Sequence, residues 1–153
     1  MKTTTKMVVI SLIAVFFIIL DRWFKAVAIN ILAHGSLPIT DWLKLSLDYN
    51  PYIAFSLPVS GWLLNILITI IAIILIAIYL YYKKRQLWLE AGWLFMIILG
   101  ALSNLYDRWR YQAVVDYINI SWFTVFNLAD ILICWGILNW LYLEYQRSKN
   151  QSA

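Results

Sequence analysis

Long apolar runs broken by short polar segments dominate the chain, and this pattern predicts four transmembrane helices. The runs lie at about 7–24, 62–82, 87–106 and 123–145. An α-helix needs roughly 20 apolar residues to cross a bilayer, and each run approaches that length. Tyr81-Tyr82 followed by Lys83-Lys84-Arg85 is typical of a helix end at a membrane interface. We therefore expect an all-α integral membrane protein, a four-helix transmembrane bundle forming one domain over residues 1–153.

The segment from about 31 to 58 breaks this pattern and predicts a small extramembrane β platform after the first helix. Within it Leu43, Leu45 and Leu47 alternate with polar residues. A period of two is the pattern of a half-buried strand. Asn50-Pro51 is a turn signal that should end the strand.

Composition and charge agree with a membrane protein. The chain is 63% hydrophobic, with a mean hydropathy of +0.75, whereas soluble domains are roughly 45–50% apolar. The net charge of +4 comes from Lys and Arg residues scattered beside the apolar runs, so no stripe for nucleic acid is indicated. Seven of the twelve basic residues would share one side of a four-span protein, which predicts that both termini are cytoplasmic.

The first apolar segment and the single cysteine each have a structural explanation that is favoured over a special function. The apolar stretch before Ala26-Val27-Ala28 could be a cleaved signal peptide, but the charged and bulky DRWFK at 21–25 favours an uncleaved first helix. The single cysteine, Cys134, permits neither an intrachain disulfide nor a zinc cluster. Its apolar context favours a small packing residue over a nucleophile.

Two carboxylates lie in strongly apolar surroundings near the end of the chain. Asp116 and Asp130 both fall within the stretch 113–130, and Asp130 lies seven residues into the last apolar run. An ionisable group in a membrane span is costly and marks a candidate functional site. Two carboxylates that converge can share a proton and supply both an acid and a base.

Other polar residues collect at the same predicted membrane face. Asn104, Asp107 and Arg108 share one helix face because they are spaced i, i+3, i+4, and Asn127 shares a face with the residue three positions later. Interhelical amide bonds and helix-end ion pairs would explain each group separately. For Asp21 and Lys25, spaced i, i+4, a simple helix-end ion pair is the favoured interpretation from spacing alone.

In five blocks and in the right order, the sequence resembles the lipoprotein signal peptidases (signal peptidase II), which are four-helix membrane aspartyl peptidases. The blocks are DRWFK (21–25), LKLSLDYNPYIAFS (43–56), GALSNLYDR (100–108), AVVDYI (113–118) and FNLAD (126–130).

The resemblance implies a role for each polar residue of these blocks. Asp116 and Asp130 would be the catalytic pair, and Asn127 would orient Asp130 or the scissile peptide. The supporting roles are substrate backbone binding for Asn50 and Arg108, bracing for Asn104 and Asp107, and structural or gating roles at the mouth of the site for Asp21 and Lys25.

The implied activity is aspartyl endopeptidase cleavage without a metal or cofactor. The substrate would be a prolipoprotein whose cysteine carries diacylglycerol, cut just before that cysteine. The resemblance places such an enzyme in the bacterial inner membrane, in contact with lipid, with its active site at the outer face; we expect a monomer and no nucleic acid partner. It leaves open which aspartate is the acid and which the base.

The sequence departs from the family pattern at three glycines. Tyr52, Ser103 and Gln112 stand in their places. Because glycine permits close backbone approach or positive φ, these changes leave a second interpretation, a catalytically decayed homologue that acts as a membrane binding module. A small ion- or proton-conducting subunit is disfavoured because the inner halves of the second and fourth spans are almost purely apolar.

Overall fold

The structure, a computed structural model, describes residues 2–52 and 60–151, and this part folds into four α-helices and one small sheet. The helices are α1 (Thr3–Ile31), α2 (Trp62–Lys84), α3 (Trp88–Tyr111) and α4 (Leu128–Gln151), with a 3-10 turn at Leu32–His34. The strands are β1 (Leu37–Pro38), β2 (Leu43–Asn50), β3 (Val114–Ile120) and β4 (Val125–Phe126). The predicted platform at 31–58 is described only to residue 52, so its last residues lie outside the described ranges.

Three of the helices in the described ranges are long and apolar enough to cross a membrane. They are Thr3–His34, which includes the 3-10 turn, Trp62–Lys84 and Trp88–Tyr111. The fourth helix, α4, is of similar length but carries more polar residues, including Asp130, Glu144 and Arg147. The chain is therefore a multi-pass membrane protein with a small antiparallel sheet.

Helix α3 is the centre of the bundle, and α1, α2 and α4 each pack against it. Its contact with α4 is close because glycine faces the neighbouring helix. A Cβ at Gly100 would lie 2.8 Å from the carbonyl oxygen of Ala129, and one at Gly136 would lie 2.6 Å from Ile97 Cγ1. Small residues of this kind let membrane helices approach closely. Asn104, one turn beyond Gly100, is thereby held against the first turn of α4.

The sheet has the antiparallel order β1-β2-β3-β4. The sequence pattern predicted a sheet confined to the segment after the first helix, and this prediction is wrong. Strands β3 and β4 come from the connection between α3 and α4. In the β2–β3 pair Asn50 lies opposite Val114 and Asp48 opposite Asp116, and the register shifts between Leu45 and Asp48. The half-buried strand β2 pairs with β3, which lies far along the chain. The periodicity of one segment does not reveal such a distant pairing.

Helix α4 begins at Leu128, five residues after the predicted start of the last span. The reason is local hydrogen bonding. Val125 and Phe126 pair with β3, and Asn127 then caps the helix: its Oδ1 accepts the N–H of Asp130 at 3.0 Å, while its own N–H donates to Asp130 Oδ2 at 3.2 Å. This reciprocal pair is a capping box. Asp130 consequently lies in the first turn of α4 and not deep within a helix.

Candidate active site

Two carboxylates from different elements, Asp116 on β3 and Asp130 on α4, line one cavity of about 510 Å³. The side chain of Asp116 is buried, with 1% of the residue exposed. Asp116 is the third residue of β3, and the first four residues of that strand are buried. Asp130 is positioned by the capped first turn of α4. The structure therefore brings together the two aspartates that the sequence singled out.

Asn127 binds both carboxylates. Its side-chain N–H donates to Asp116 Oδ1 at 2.6 Å, and its backbone N–H donates to Asp130 Oδ2. The residue itself is completely buried. Because its Oδ1 is occupied by the N–H of Asp130, the orientation of the amide follows from its partners.

Each carboxylate also receives a second amide donor. Asn50, at the end of β2, donates to Asp116 Oδ2 at 3.2 Å. Asn104, on α3, donates to Asp130 Oδ1 at 2.7 Å. All four carboxylate oxygens of the pair thus accept an N–H, which fixes both groups in place.

A buried ionic network lies behind this pair. Lys25 Nζ is 3.1 Å from Asp21 Oδ2 and 2.7 Å from Asp107 Oδ2, and none of these three side chains is exposed. Arg22 Nη1 lies 2.6 Å from Asp107 Oδ1. The predicted ion pair between Asp21 and Lys25 is confirmed, but its placement at a helix end is wrong, because α1 continues to Ile31 and buries both residues against α3.

Asp21 connects α1 to the start of α4. Its Oδ1 accepts the N–H of Ala129 at 3.3 Å and the hydroxyl of Tyr117 at 3.1 Å. The same hydroxyl accepts the N–H of Leu128 at 3.2 Å. These two N–H groups belong to the first turn of α4, where helix donors lack partners within the helix. Asp21 and Tyr117 therefore hold the turn that carries Asp130.

Arg108, on α3, also lines the cavity near the two carboxylates. Its Nη2 donates to the carbonyl of Tyr52 at 2.5 Å and its Nη1 to that of Pro51 at 3.3 Å. Asp107, its neighbour on α3, accepts the N–H of Val115 at 3.4 Å and so braces the strand that carries Asp116. In the described residues Arg108 binds backbone carbonyls, which is the kind of group that a peptide substrate would offer.

The electrostatic setting favours a proton on Asp116. Burial, and then the negative charge of Asp130, raise the pKa of Asp116 to about 7, against hydrogen bonds from Asn50 and Asn127. Burial and the charge of Asp21 raise the pKa of Tyr117, so its hydroxyl remains a neutral donor. A carboxyl group that titrates near neutrality beside a second carboxylate is suited to acid–base chemistry.

The rest of the cavity wall is mainly apolar and lies between α2 and α4. Ile68 comes from α2, and Ile131, Cys134 and Leu138 come from α4. Cys134 is exposed, so it is a wall residue and not the packed core residue that its sequence context favoured. The polar groups are gathered at one end of the cavity: Asn50, Asn104, Arg108, Asp116 and Asp130.

Sequence reasoning missed Arg22, Tyr117 and Ser103 as members of the site. Ser103 donates to Asp21 Oδ2 at 2.6 Å, and Arg22 stacks over the ring of Tyr106 with its guanidinium carbon 4.6 Å from the centroid. Ser103 and Arg22 each adjoin a residue that the sequence did single out, Asn104 and Asp21. Tyr117 directly follows Asp116, and adjacency was the available signal for all three.

The residues at the missing glycines have specific contacts. Gln112 adopts φ 58 at the end of α3, a left-handed conformation that glycine would favour, and its Oε1 accepts an N–H from Asn65 at 3.4 Å. Ser103 fills its position with a hydroxyl bonded to Asp21. Tyr52 contributes its backbone to Asn50 and Arg108. Each substitution is accommodated without disrupting the carboxylate pair.

The fold and the site together define a class of protein: multi-pass membrane proteins in which paired carboxylates beside an apolar cavity are suited to peptide hydrolysis at a membrane. The family model described as signal peptidase (SPase) II matches residues 13–145. The chain belongs to this family, and it is a bacterial membrane protein of the hydrolase class.

Individual relatives give the same assignment. The chain is 37% identical over 134 residues to the lipoprotein signal peptidase of Clostridium tetani, covering 83% of this chain and 86% of that protein. It is 34% identical over 154 residues to the lipoprotein signal peptidase of Polynucleobacter necessarius, covering 92% and 91%.

Two solved structures share the fold. Both are described as bacterial membrane enzymes determined by the in meso method. The first, at 2.3 Å resolution, has a TM-score of 0.78 at 22% identity and covers 95% of this chain and 91% of that chain. The second, at 1.9 Å, has a TM-score of 0.71 at 23% identity and covers 91% and 92%.

Proposed function

We propose that this chain removes the signal peptide from prolipoproteins whose cysteine carries diacylglycerol, cutting just before that cysteine, and that it does so as an aspartyl endopeptidase. One observation carries the proposal: Asn127 binds Asp116 through its side chain and Asp130 through its backbone at one end of an apolar cavity. Family membership supplies the substrate class.

The proposed reaction uses the two carboxyl groups and water. The ionised carboxylate removes a proton from water, whose oxygen forms a bond to the scissile carbonyl carbon. The protonated carboxyl donates a hydrogen bond and then its proton to the carbonyl oxygen. As the tetrahedral intermediate collapses and the C–N bond breaks, the hydroxyl returns its proton to the now ionised carboxylate, and the leaving amine takes the proton that the other carboxyl removed from water. No metal or cofactor takes part in these steps.

The surrounding residues would hold the substrate for this attack. Arg108 already binds two backbone carbonyls and would bind those of the substrate in the same way. The apolar wall formed by Ile68, Ile131 and Leu138 would receive the apolar signal segment or the lipid chains. Asn104 and Asp107 would support the pair and Arg108, while Asp21 and Lys25 would hold the helices together behind them.

The membrane arrangement that fits this reaction has α4 as the fourth span. Both termini and the loop at Lys83–Arg85 would be cytoplasmic, since basic residues favour that side. The sheet and the carboxylate pair would then lie at the outer face, where the signal segment of a lipid-modified precursor meets the bilayer surface. We propose that the enzyme works as a monomer in contact with lipid.

Cleavage of a diacylglyceryl-modified prolipoprotein in nanodiscs tests the proposal. Asp116→Asn and Asp130→Asn should each lower turnover by at least ~10²-fold, which is the lower limit of the rate enhancement that a general acid or base typically contributes. Asp41→Asn, which removes an exposed carboxylate in a turn, is the control and should cleave like the wild type. A chelator should leave turnover unchanged.

Two outcomes would contradict it. Turnover within about tenfold of wild type in either pair variant would rule out the aspartyl mechanism, because loss of an essential acid or base costs more than that. Wild-type protein that is folded but does not cleave would instead support the decayed homologue. The family match and the accommodated substitutions favour the active enzyme over that alternative.

A further inference from the structure

Lys25 is an ammonium group with no exposed surface. It donates a hydrogen bond to the side-chain oxygen of Asn104 at 2.8 Å and forms ion pairs with Asp21 Oδ2 and Asp107 Oδ2. An ammonium can only donate hydrogen bonds. The side-chain oxygen of Asn104 must therefore face Lys25.

The other end of the Asn104 amide is fixed by the same contact. With its oxygen toward Lys25, its N–H₂ group points away and donates to Asp130 Oδ1 at 2.7 Å. An N–H of Asn127 donates to the same Asn104 oxygen at 3.2 Å and favours the same orientation. A buried positive charge thus lies one amide away from Asp130.

Asp116 has no cation linked to it through an amide, although the charges of Arg108 and Lys25 act on it as they do on Asp130. Its two amide donors are Asn50 and Asn127, and the oxygens of those amides accept backbone N–H groups, from Tyr52 and Asp130. No cation stands behind either amide in the described contacts. Asp130 additionally occupies the first turn of α4, where the helix dipole favours negative charge.

We infer that Lys25 is a positioning residue for the reaction: through Asn104 it holds Asp130 as the ionised member of the pair, and Asp116 carries the proton. This inference rests on the proposed function and deepens it by naming the base and the acid. Asp130 would remove the proton from water, and Asp116 would protonate the carbonyl oxygen. Lys25 itself touches neither the water nor the substrate.

Other charged and titratable groups also act on Asp130. Those that face it are Asp21 and Lys25 from α1, Arg108 from α3, Asp116 and Tyr117 from β3, and Cys134 from its own helix. Asp107 belongs to the same network through its ion pair with Lys25. A test of Lys25 must therefore hold the charge of the network constant.

Two charge-balanced double variants meet this condition. Lys25→Met/Asp107→Asn leaves the pair Asp21 and Arg22, and Arg22→Met/Asp107→Asn leaves the pair Asp21 and Lys25. Both lose one cation and the same carboxylate, but only the first loses the contact with Asn104. Equal thermal stability of the two in nanodiscs would show that their folds are matched.

The pH dependence of kcat/KM should separate the two variants. In Lys25→Met/Asp107→Asn, kcat/KM should fall about tenfold further between neutral and mildly acidic pH than in the wild type, because a shift of one pH unit in the acid limb corresponds to a tenfold change. In Arg22→Met/Asp107→Asn the acid limb should stay in place. A role in folding alone would lower both variants without moving the limb.

Infrared spectroscopy of labelled aspartates gives a readout that does not require activity. At neutral pH the wild type should show a protonated carboxyl band that Asp116→Asn removes. When Lys25→Met/Asp107→Asn is added to Asp116→Asn, the band should return, because Asp130 then takes up a proton. Adding Arg22→Met/Asp107→Asn should not restore it.

Two results would overturn the inference. One is an acid limb of kcat/KM at the same pH in both double variants, and the other is no protonated carboxyl band when Lys25→Met/Asp107→Asn is combined with Asp116→Asn. Failure of the proposed function looks different: Asp130→Asn would then retain cleavage. The infrared comparison would still report whether Lys25 sets the charge of Asp130.

Discussion

The side-chain N–H of Asn127 lies 2.6 Å from Asp116 Oδ1, although Asn127 caps α4 and Asp116 belongs to β3. The contact can be removed without removing the cap, since aspartate is nearly isosteric and is a good N-cap residue. Asn127→Asp should therefore keep α4 intact but lower kcat by roughly tenfold to hundredfold, because Asp116 loses a buried hydrogen-bond donor and a third carboxylate is placed beside the pair. Kinetics in nanodiscs would measure it, with Asn30→Asp, an exposed position on α1, as the control.

The pKa of Asp116 makes stability depend on pH. Because burial and Asp130 raise it to about 7, well above the ~4 of an unperturbed aspartate, the folded protein holds a proton that the unfolded chain releases. The stabilisation from this group is complete below ~4 and is lost as the pH rises through about 7. Asp116→Asn should reduce the loss of stability with rising pH, and it should raise the Tm at neutral and alkaline pH. An unchanged slope of Tm against pH would contradict the assignment.

Arg108 donates to two carbonyls through two different nitrogens. Lysine keeps the charge but lacks the planar fork of donors. Arg108→Lys should lower kcat/KM at least about tenfold, the effect of losing one charged hydrogen bond. The exposed Arg110 on the same helix provides the control Arg110→Lys, which should cleave normally. Near-normal cleavage by Arg108→Lys would mean that only the charge of Arg108 matters.

Gly100 sets the distance between α3 and α4. A methyl group there would lie 2.8 Å from the backbone oxygen of Ala129, which cannot rotate away. Gly100→Ala should destabilise the protein by about 1–3 kcal/mol, as overpacking does, and should weaken the Asn104–Asp130 bond one turn away. Gly35→Ala is the matched control, because nothing lies within 4 Å of its added Cβ. Thermal unfolding and kcat would be measured for both.

The proposed orientation predicts which positions are accessible from outside the cell. In a background with Cys134 replaced, a membrane-impermeant thiol reagent should label Asp41→Cys on intact cells but not Lys84→Cys. Permeabilised cells should show labelling at both positions. Labelling of Lys84→Cys but not of Asp41→Cys on intact cells would reverse the topology.

The residues whose partners are close in sequence were predictable. The shared helix face of Asn104, Asp107 and Arg108 follows from helical spacing, and all three lie on α3. The capping box of Asn127 and Asp130 was also visible as an Asn followed three residues later by Asp. The pattern did not indicate a helix start there, because the predicted last span began at Phe123 and so placed Asn127 inside the helix.

What depends on packing between distant segments was not predictable from the pattern. AVVDYI shows no period-two alternation, and it forms a strand by pairing with β2 and β4, which lie on either side of it in the sheet. Asp21 and Lys25 looked like a helix-end pair because spacing says nothing of where α1 stops or which face α3 covers. Their burial follows from the extension of α1 to Ile31 and its packing on α3.

The pairing of β2 with β3 also bears on how the protein is made. β2 is synthesised before α2 and α3, while its partner strand emerges only after both. During that interval one edge of β2 has unpaired backbone groups, and such edges are prone to pair with other chains. Since Asp116 reaches its place only when β3 pairs with β2, a nascent chain with α1, α2 and α3 already inserted still lacks the proposed catalytic pair. On the proposed mechanism, proteolytic competence is acquired at the end of biogenesis, and a chain stalled before β3 would be an inert intermediate in the membrane.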